Sequence, residues 1–206
     1  MKIGVLALQG DFAEHLDILT QLGADAVAVR LPDDLNGLDG LIIPGGESTA
    51  IARLLHRWEL IGPIRTHVHN GMAVWGTCAG AILLANDPGD LDREGLRLMD
   101  ITVERNAFGR QVDSFEADVS VPSFGGQEYH CVFIRAPVIS SVGPKADVLA
   151  QLEDGSVVAA KQGNMLATAF HPELTDDTRF HQLFLEMVTD NVVPIDLARD
   201  ARPVKL

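Results

Sequence analysis

Short apolar segments that alternate with segments of helical spacing constrain the fold of this chain more than any other feature. The apolar segments are KIGVLAL at 2–8, DAVAVR at 25–30, LIIPGG at 41–46 and MAVWG at 72–76. The segments that we expect to be helical lie at 11–23, 48–58 and 63–70, and a further helix is expected to begin at 79. Buried strands separated by helices are typical of a parallel sheet that is covered on both faces. We therefore predict a single-domain α/β fold with a Rossmann-like, mostly parallel sheet flanked by helices.

The second half of the chain has a different pattern, in which short apolar segments are joined by Gly, Pro, Asn and Asp. These segments lie at 96–106, 114–121, 129–137, 147–152, 156–162 and 164–170. They predict a partly antiparallel C-terminal extension on the same core. A last amphipathic helix is predicted over 177–191, with core residues Phe180, Leu183, Phe184, Met187 and Val188. We place one domain at residues 1–190 and expect residues 191–206 to be a flexible tail.

Charge and composition exclude several classes of function. The chain has 16 basic and 29 acidic residues, and a net charge of −13 disfavours binding to nucleic acid phosphates. No apolar stretch reaches the roughly 20 residues of a membrane span. The apolar run Ile3–Leu8 is shorter than the roughly 7–15 residues of a signal-peptide core. The 2 cysteines give neither a disulfide framework nor zinc spacing, so we expect a cytoplasmic protein with reduced thiols.

One cysteine lies on a predicted turn from strand to helix. The sequence G-T-C-A-G at 76–80 places Cys78 between two glycines, directly before an apolar helical segment. A nucleophile elbow needs this arrangement, because only small neighbours let the backbone turn so tightly. The N-terminus of the following helix favours the thiolate, and the N–H of Ala79 becomes a candidate oxyanion donor. A buried core cysteine is the alternative for Cys78, and it is our prediction for Cys131, which lies in an apolar strand.

A histidine and a carboxylate follow the last apolar strand. In the segment ATAFHPEL, His171 and Glu173 are two residues apart, so in extended chain both side chains point to the same side. The carboxylate could then accept from one ring nitrogen while the other faces a sulfur, as a catalytic triad requires. A surface turn with two polar residues is the alternative. We expect the histidines of the predicted helices to be solvated, namely His15, His56, His67, His69 and His181.

A glycine pair follows the third apolar strand, in the segment IIPGGEST at 42–49. The segment matches neither of the common nucleotide-binding glycine patterns. Gly46 could supply a second oxyanion donor, and Glu47 and Ser48 could hydrogen-bond a small polar substrate. Ser48 or Thr49 would cap the following helix. A plain turn from strand to helix is the alternative.

These motifs together resemble the class I glutamine amidotransferases. The segments IGVLALQGDFAEH, LIIPGGEST, GTCAG, VERNAFGRQVDSFEAD, FIRAP, VAAKQG and FHPELT resemble, more narrowly, the glutaminase subunits of pyridoxal 5′-phosphate synthases. The resemblance covers about residues 3–190, and VERNAFGRQVDSFE together with FIRAP is its most specific part. It implies hydrolysis of L-glutamine to glutamate and ammonia by a Cys–His–Glu triad of Cys78, His171 and Glu173.

The resemblance also implies roles for the remaining site residues. It assigns the oxyanion hole to the N–H groups of Gly46 and Ala79. It assigns the contacts with L-glutamine to Gly46, Glu47, Ser48, Arg105, Ile134 and Arg135. It implies a partner, the separate barrel-shaped synthase subunit in a large ring complex, and Gln9 would couple docking of that partner to the oxyanion hole. It implies no metal and no bound cofactor. An amidase that acts alone and a catalytically inactive binding subunit are the alternatives.

Overall fold

Ten strands form one sheet in the computed structural model, which describes residues 1–105 and 114–191. In chain order the strands of this sheet are β1 (Lys2–Leu6), β2 (Asp25–Val29), β3 (Gly40–Ile43), β4 (Ala73–Thr77), β5 (Ala85–Asp87), β6 (Met99–Glu104), β9 (Val138–Val142), β10 (Asp147–Gln151), β11 (Val157–Gln162) and β12 (Met165–Thr168). The strands β7 (Ser114–Ser120) and β8 (Glu128–Ile134) pair only with each other and form a second sheet. The helices are α1 (Phe12–Gln21), α2 (Ser48–Arg57), α3 (Ile61–His69), α4 (Ala79–Leu84) and α5 (Arg179–Asn191).

The large sheet is parallel in its first half and mostly antiparallel in its second. Its order is β2-β1-β3-β4-β12-β11-β9-β6-β5, and β10 pairs with β11. The neighbours from β2 to β12 all run parallel, whereas β12, β11, β9 and β6 pair antiparallel. The Rossmann-like α/β fold with a partly antiparallel extension is therefore confirmed.

The two faces of the sheet bury separate cores, as the strand periodicity requires. Leu41 and Ile43 of β3 pack on the side of α2, α3 and α4, whereas Ile42 packs on the other side. That second side is covered by α1, α5 and the β7–β8 sheet, which contribute residues such as Leu19, Phe184 and Phe133. Both faces are apolar, which explains why the strands of the parallel half have continuous apolar sequences.

Several expectations need correction or fall outside the described residues. The segment 114–134 forms the separate antiparallel β7–β8 pair, which packs on the same core as predicted. The strands β5 and β9 were not predicted. Half of the motif VERNAFGRQVDSFEAD, at 106–113, lies outside the described residues, as does the tail at 192–206, whereas Asn191 still belongs to α5. Among the described helices, none combines the length and the apolar character that crossing a membrane requires.

Candidate active site

Three adjacent parallel strands deliver the candidate catalytic groups to one edge of the sheet. The loop after β3 carries Gly45 and Gly46, the turn after β4 carries Cys78, and the chain beyond β12 carries His171. The register pairs Ile43 with Gly76 and Thr168 with Thr77, so the carboxyl ends of these strands lie side by side. This is the edge at which open α/β sheets bind their ligands.

Cys78 occupies a strained turn between β4 and α4. Its backbone has φ 47° and ψ −103°, a conformation that non-glycine residues seldom adopt. Its N–H donates to the carbonyl of Thr168 at 2.8 Å, which ties the turn to β12. The flanking glycines are required, since a Cβ on Gly76 would lie 2.4 Å from the carbonyl carbon of Gly80. The turn therefore presents the sulfur at the start of α4.

His171 and Glu173 form a buried pair beside the cysteine. Nδ1 of His171 lies 2.7 Å from Oε1 of Glu173, and both side chains are almost completely buried. The short 3₁₀ turn Pro172–Leu174 brings the two side chains together. The carboxylate of Asp11 is a second neighbour of His171, with Oδ2 at 3.4 Å from Nδ1. Cys78 and His171 line the same cavity, and Sγ of Cys78 lies 4.0 Å from the carbonyl oxygen of Ile134.

The electrostatics of this pair favour separated charges. Burial alone would lower the pKa of His171, but its contacts with Cys78 and Glu173 outweigh burial and raise that pKa to about 10. Burial would raise the pKa of Glu173, but the neighbouring imidazoles of His15 and His171 outweigh burial and lower it to about 2. Burial and the nearby Glu173 raise the pKa of Asp11. The raised pKa of His171 means that a protonated imidazole shares the cavity with the sulfur of Cys78.

The loop after β3 packs against the segment that precedes α1. Gly46 has φ 148°, and a Cβ there would lie 2.6 Å from Oε1 of Gln9. That same oxygen accepts a hydrogen bond from the backbone N–H of Glu47 at 2.7 Å. Gln9 therefore holds the peptide that follows Gly46, next to the proposed oxyanion donor.

Glu47, and not Ser48 or Thr49, caps helix α2. Its carboxylate accepts from the N–H of Thr49 at 3.0 Å and from that of Ala50 at 2.6 Å. Partial burial would raise the pKa of Glu47, but these backbone donors lower it. The prediction of a hydroxyl cap is thus wrong, because the longer Glu47 side chain folds back over the first turn. Ser48 is instead buried at the start of α2.

A cavity of about 410 Å³ lies over the cysteine. Of the residues predicted for catalysis and oxyanion stabilisation, the cavity lining includes Cys78, His171, Gly46 and Ala79. Of those predicted for glutamine binding and coupling, it includes Glu47, Ser48, Arg105, Ile134, Arg135 and Gln9. Glu173 does not line the cavity but lies behind His171. The cavity is thus of the size that encloses small polar metabolites.

Arg105 is held at the cavity wall by several neighbours. One of its terminal nitrogens lies 3.3 Å from Oγ1 of Thr49 and 3.7 Å from Oε1 of Glu47, and another lies 3.6 Å from Oδ1 of Asp90. Arg135, the second guanidinium at the cavity, has φ 42°. The strained backbone at Arg135 matches that at Cys78, and such strain clusters at functional sites.

Sequence reasoning missed several residues of this site. Asp11, Ile82 and Pro137 also line the cavity, and each lies close in sequence to a motif residue. His15 and His181 were expected to be solvated, but both are completely buried. Nδ1 of His15 lies 2.9 Å from Nε2 of His181, because each histidine lies on the buried face of its helix. The one signal for His15 is its place one helical turn after Asp11.

One group among the described residues has the geometry to hold a metal ion. It consists of Asp11, His171 and Glu173, whose potential ligand atoms all lie within 4.8 Å of one another. Nδ1 of His171 already lies at hydrogen-bond distance from Glu173 in this group. We therefore interpret the group as an acid–base unit.

Comparison with known proteins identifies the family. The model of the SNO glutamine amidotransferase family matches residues 5–190. A relative from Roseiflexus castenholzii, named Pyridoxal 5′-phosphate synthase subunit PdxT, is 56% identical over 189 residues, which is 91% of this chain and 100% of the relative. The protein of the same name from Herpetosiphon aurantiacus is 57% identical and covers 90% of this chain and 99% of its own. A solved structure described as a crystal structure of glutamine amidotransferase has a TM-score of 0.85 and 48% identity, covering 91% of this chain and 98% of its own. The chain belongs to the SNO glutamine amidotransferase family.

Proposed function

We propose that this chain is the glutaminase subunit of a pyridoxal 5′-phosphate synthase, which hydrolyses L-glutamine to L-glutamate and ammonia. The observation that carries the proposal is the strained turn at Cys78, which faces a cavity shared with His171. The names of the relatives support the same assignment, since they describe a subunit of this synthase. A nucleophile, a base and an orienting carboxylate are the parts that acyl transfer from an amide requires.

The reaction begins with attack of the Cys78 thiolate on the side-chain amide carbon of glutamine. A bond forms between the sulfur and this carbon, and the carbonyl oxygen becomes an oxyanion. The N–H groups of Gly46 and Ala79 stabilise that oxygen, a contribution of roughly 3–4 kcal/mol per donor in comparable sites. Ala79 begins α4, so its N–H has no partner within the helix.

His171 then transfers protons while Glu173 keeps its ring in place. Protonated His171 gives its proton to the amide nitrogen, the carbon–nitrogen bond breaks, and ammonia leaves a glutamyl thioester on Cys78. The neutral imidazole next takes a proton from water, which attacks the thioester carbon. The carbon–sulfur bond breaks, glutamate is released, and the thiolate of Cys78 is regenerated.

Charged groups at the cavity wall suit the two charges of a free amino acid. Arg105 and Arg135 offer guanidinium groups to the α-carboxylate, and guanidinium binds carboxylate through two parallel hydrogen bonds. The carboxylate of Glu47 is available on the same wall for the α-ammonium group. Ser48 and the backbone of Ile134 complete the proposed glutamine contacts. This pattern favours free glutamine over a larger amide substrate.

The released ammonia is proposed to pass to a partner, the barrel-shaped synthase subunit, in a large ring complex. Gln9 lies in the segment before α1 and accepts a hydrogen bond from the peptide beside Gly46. This contact supports a role for Gln9 in coupling docking of the partner to the oxyanion hole. A reduced nucleophilic thiol supports a cytoplasmic location, where thiols are kept reduced. The chain itself is proposed to bind neither a metal nor a cofactor, and pyridoxal phosphate is the product of the partner.

Glutamate release tests the proposal. The isolated chain should release glutamate slowly, and addition of the synthase subunit should stimulate release. A Cys78→Ala variant should form the complex but release no glutamate. Strong activity without stimulation would instead favour an amidase that acts alone, and retained hydrolysis by Cys78→Ala would reject Cys78 as nucleophile. Gln9→Leu should lose part of the stimulation while the Cys78 thiol stays reactive toward a glutamine-like electrophile.

A further inference from the structure

Two buried histidines extend the row of polar side chains that His171 and Glu173 form. His15 of α1 and His181 of α5 are completely buried, and Nδ1 of His15 lies 2.9 Å from Nε2 of His181. On its other side, Nε2 of His15 lies 3.3 Å from Oε2 of Glu173 and 3.4 Å from Oγ1 of Thr77. Buried polar groups in proteins are nearly always hydrogen-bonded. These contacts can therefore be used to assign which nitrogen of each ring carries a hydrogen.

The position of the hydrogens follows from the partners of each nitrogen. Burial, together with repulsion from His15, lowers the pKa of His181 to about 3, so this ring is neutral and carries one hydrogen. Nδ1 of His181 is buried and has no hydrogen-bond partner among the described residues. The hydrogen is therefore better placed on Nε2 of His181, from which it is donated to Nδ1 of His15. A neutral His15 then carries its own hydrogen on Nε2, which faces Glu173.

The second oxygen of the triad carboxylate needs such a donor. Oε1 of Glu173 accepts from His171, whereas Oε2 is buried and has no hydrogen bond of good geometry among the described residues. The neighbour of Oε2 is Nε2 of His15, at 3.3 Å. A bare nitrogen lone pair at that position would repel the carboxylate, so Nε2 of His15 must be a donor.

From these contacts we propose that His15 is a positioning residue of the glutaminase, which holds Oε2 of Glu173 so that Oε1 is aimed at His171. The inference rests on the proposed function. His181 sets the tautomer of His15, and Trp75 fixes both rings, with its own ring at 5.8 Å from that of His15 and 5.0 Å from that of His181. The line of contacts thus runs from His181 through His15 and Glu173 to His171.

Two substitutions at His15 separate positioning from packing. His15→Leu keeps an apolar volume but removes the donor, whereas His15→Gln keeps an N–H group at about the same reach. In the complex with the synthase subunit, we expect His15→Leu to lower kcat by about 100-fold, the loss typical of a misplaced catalytic group. KM for glutamine should change little, because His15 does not line the cavity. His15→Gln should recover most of the lost kcat.

A nearby buried hydrogen bond provides the matched control. The hydroxyl of the buried Tyr129 donates to the carbonyl of Asp177 at 3.0 Å, and a Tyr129→Phe variant removes this bond without touching Glu173. It should lower stability without the loss of kcat. If His15→Leu is as active as the wild type, or if His15→Gln falls as far as His15→Leu, the positioning role is overturned. An inactive wild-type complex would instead overturn the proposed function.

The tautomer of His15 tests the inference without any variant. Nitrogen-15 NMR of histidine-labelled protein should show a hydrogen on Nε2 of His15 in the wild-type complex. It should show Nδ1 of His181 without a hydrogen. An Nε2 of His15 that carries no hydrogen would overturn the proposal even if the His15→Leu variant fails to fold.

Discussion

A Cβ atom on Gly45 would lie 2.4 Å from Cε1 of His171 and 2.9 Å from its Nδ1. The loop after β3 thus packs directly on the ring that the chain after β12 delivers. No side chain fits between them, so the glycine is required for the position of the proposed base. The two loops of the site are therefore built against each other and not only against the sheet.

Replacement of Gly45 by alanine should reduce turnover by displacing His171. The added Cβ overlaps the ring, so the ring must move, and a shift of about 1 Å at a catalytic group costs on the order of 100-fold in rate. We expect kcat of Gly45→Ala to fall by about that factor in the glutaminase assay. Gly62→Ala is the matched control, because a Cβ on Gly62 in α3 meets no atom within 4 Å. Equal activity of the two variants would contradict this packing argument.

Replacement of Cys78 should reveal the strain of its turn. At φ 47° an alanine keeps the strain, whereas a glycine relieves it. We expect the free energy of unfolding of Cys78→Gly to exceed that of Cys78→Ala by about 1 kcal/mol. Both variants should lack glutaminase activity. Urea denaturation checks the difference, and a less stable glycine variant would mean that the turn is not strained.

The features of the fold and of the candidate site that depend on local sequence pattern could be predicted. Continuous apolar strands and their glycine-rich ends predicted the parallel half of the sheet, and the structure brings Cys78, His171 and Gly46 to its edge. Contacts between distant elements could not be predicted in this way. His15 and His181 are 166 residues apart, and only the packing of α1 and α5 on the same face of the sheet buries them together.

The cap of α2 shows a second limit of sequence reasoning. Ser48 and Thr49 have higher preferences for the N-cap position than glutamate. The strand β3 nevertheless ends so that Glu47 takes the extended conformation that precedes the helix. The position that the end of β3 gives to Glu47 therefore outweighs the higher N-cap preferences of Ser48 and Thr49.

The ion pair of Glu173 should make stability fall in acid. Its pKa is about 2 in the folded protein, below the ordinary value of 4.5. Between these values the unfolded chain binds more protons, so the free energy of unfolding decreases as pH falls. The contribution is complete above about pH 5 and is lost as pH approaches 2. We expect the difference in stability between the wild type and Glu173→Gln to shrink over this window in urea denaturation.

His171 should behave in the opposite way in alkali. Its pKa is raised from 6.5 to about 10, so its contribution is complete below about pH 6.5 and is lost as pH rises to 10. The stability difference between the wild type and His171→Gln should therefore shrink on the alkaline side and not in acid. A constant difference across either window would contradict the charged states assigned to the pair.

The two roles of Glu47 should separate in two variants. Glu47→Ala removes the cap of α2 and should lower the free energy of unfolding by about 1 kcal/mol, whereas Glu47→Asn keeps a capping oxygen and most of that stability. Both variants lose the carboxylate that lies 3.7 Å from Arg105 at the cavity wall. A hydrogen bond to a charged group contributes about 1.5–3 kcal/mol, so KM for glutamine should rise at least about tenfold in both. If KM rises only in Glu47→Ala, the side chain acts through the helix cap and does not bind the substrate.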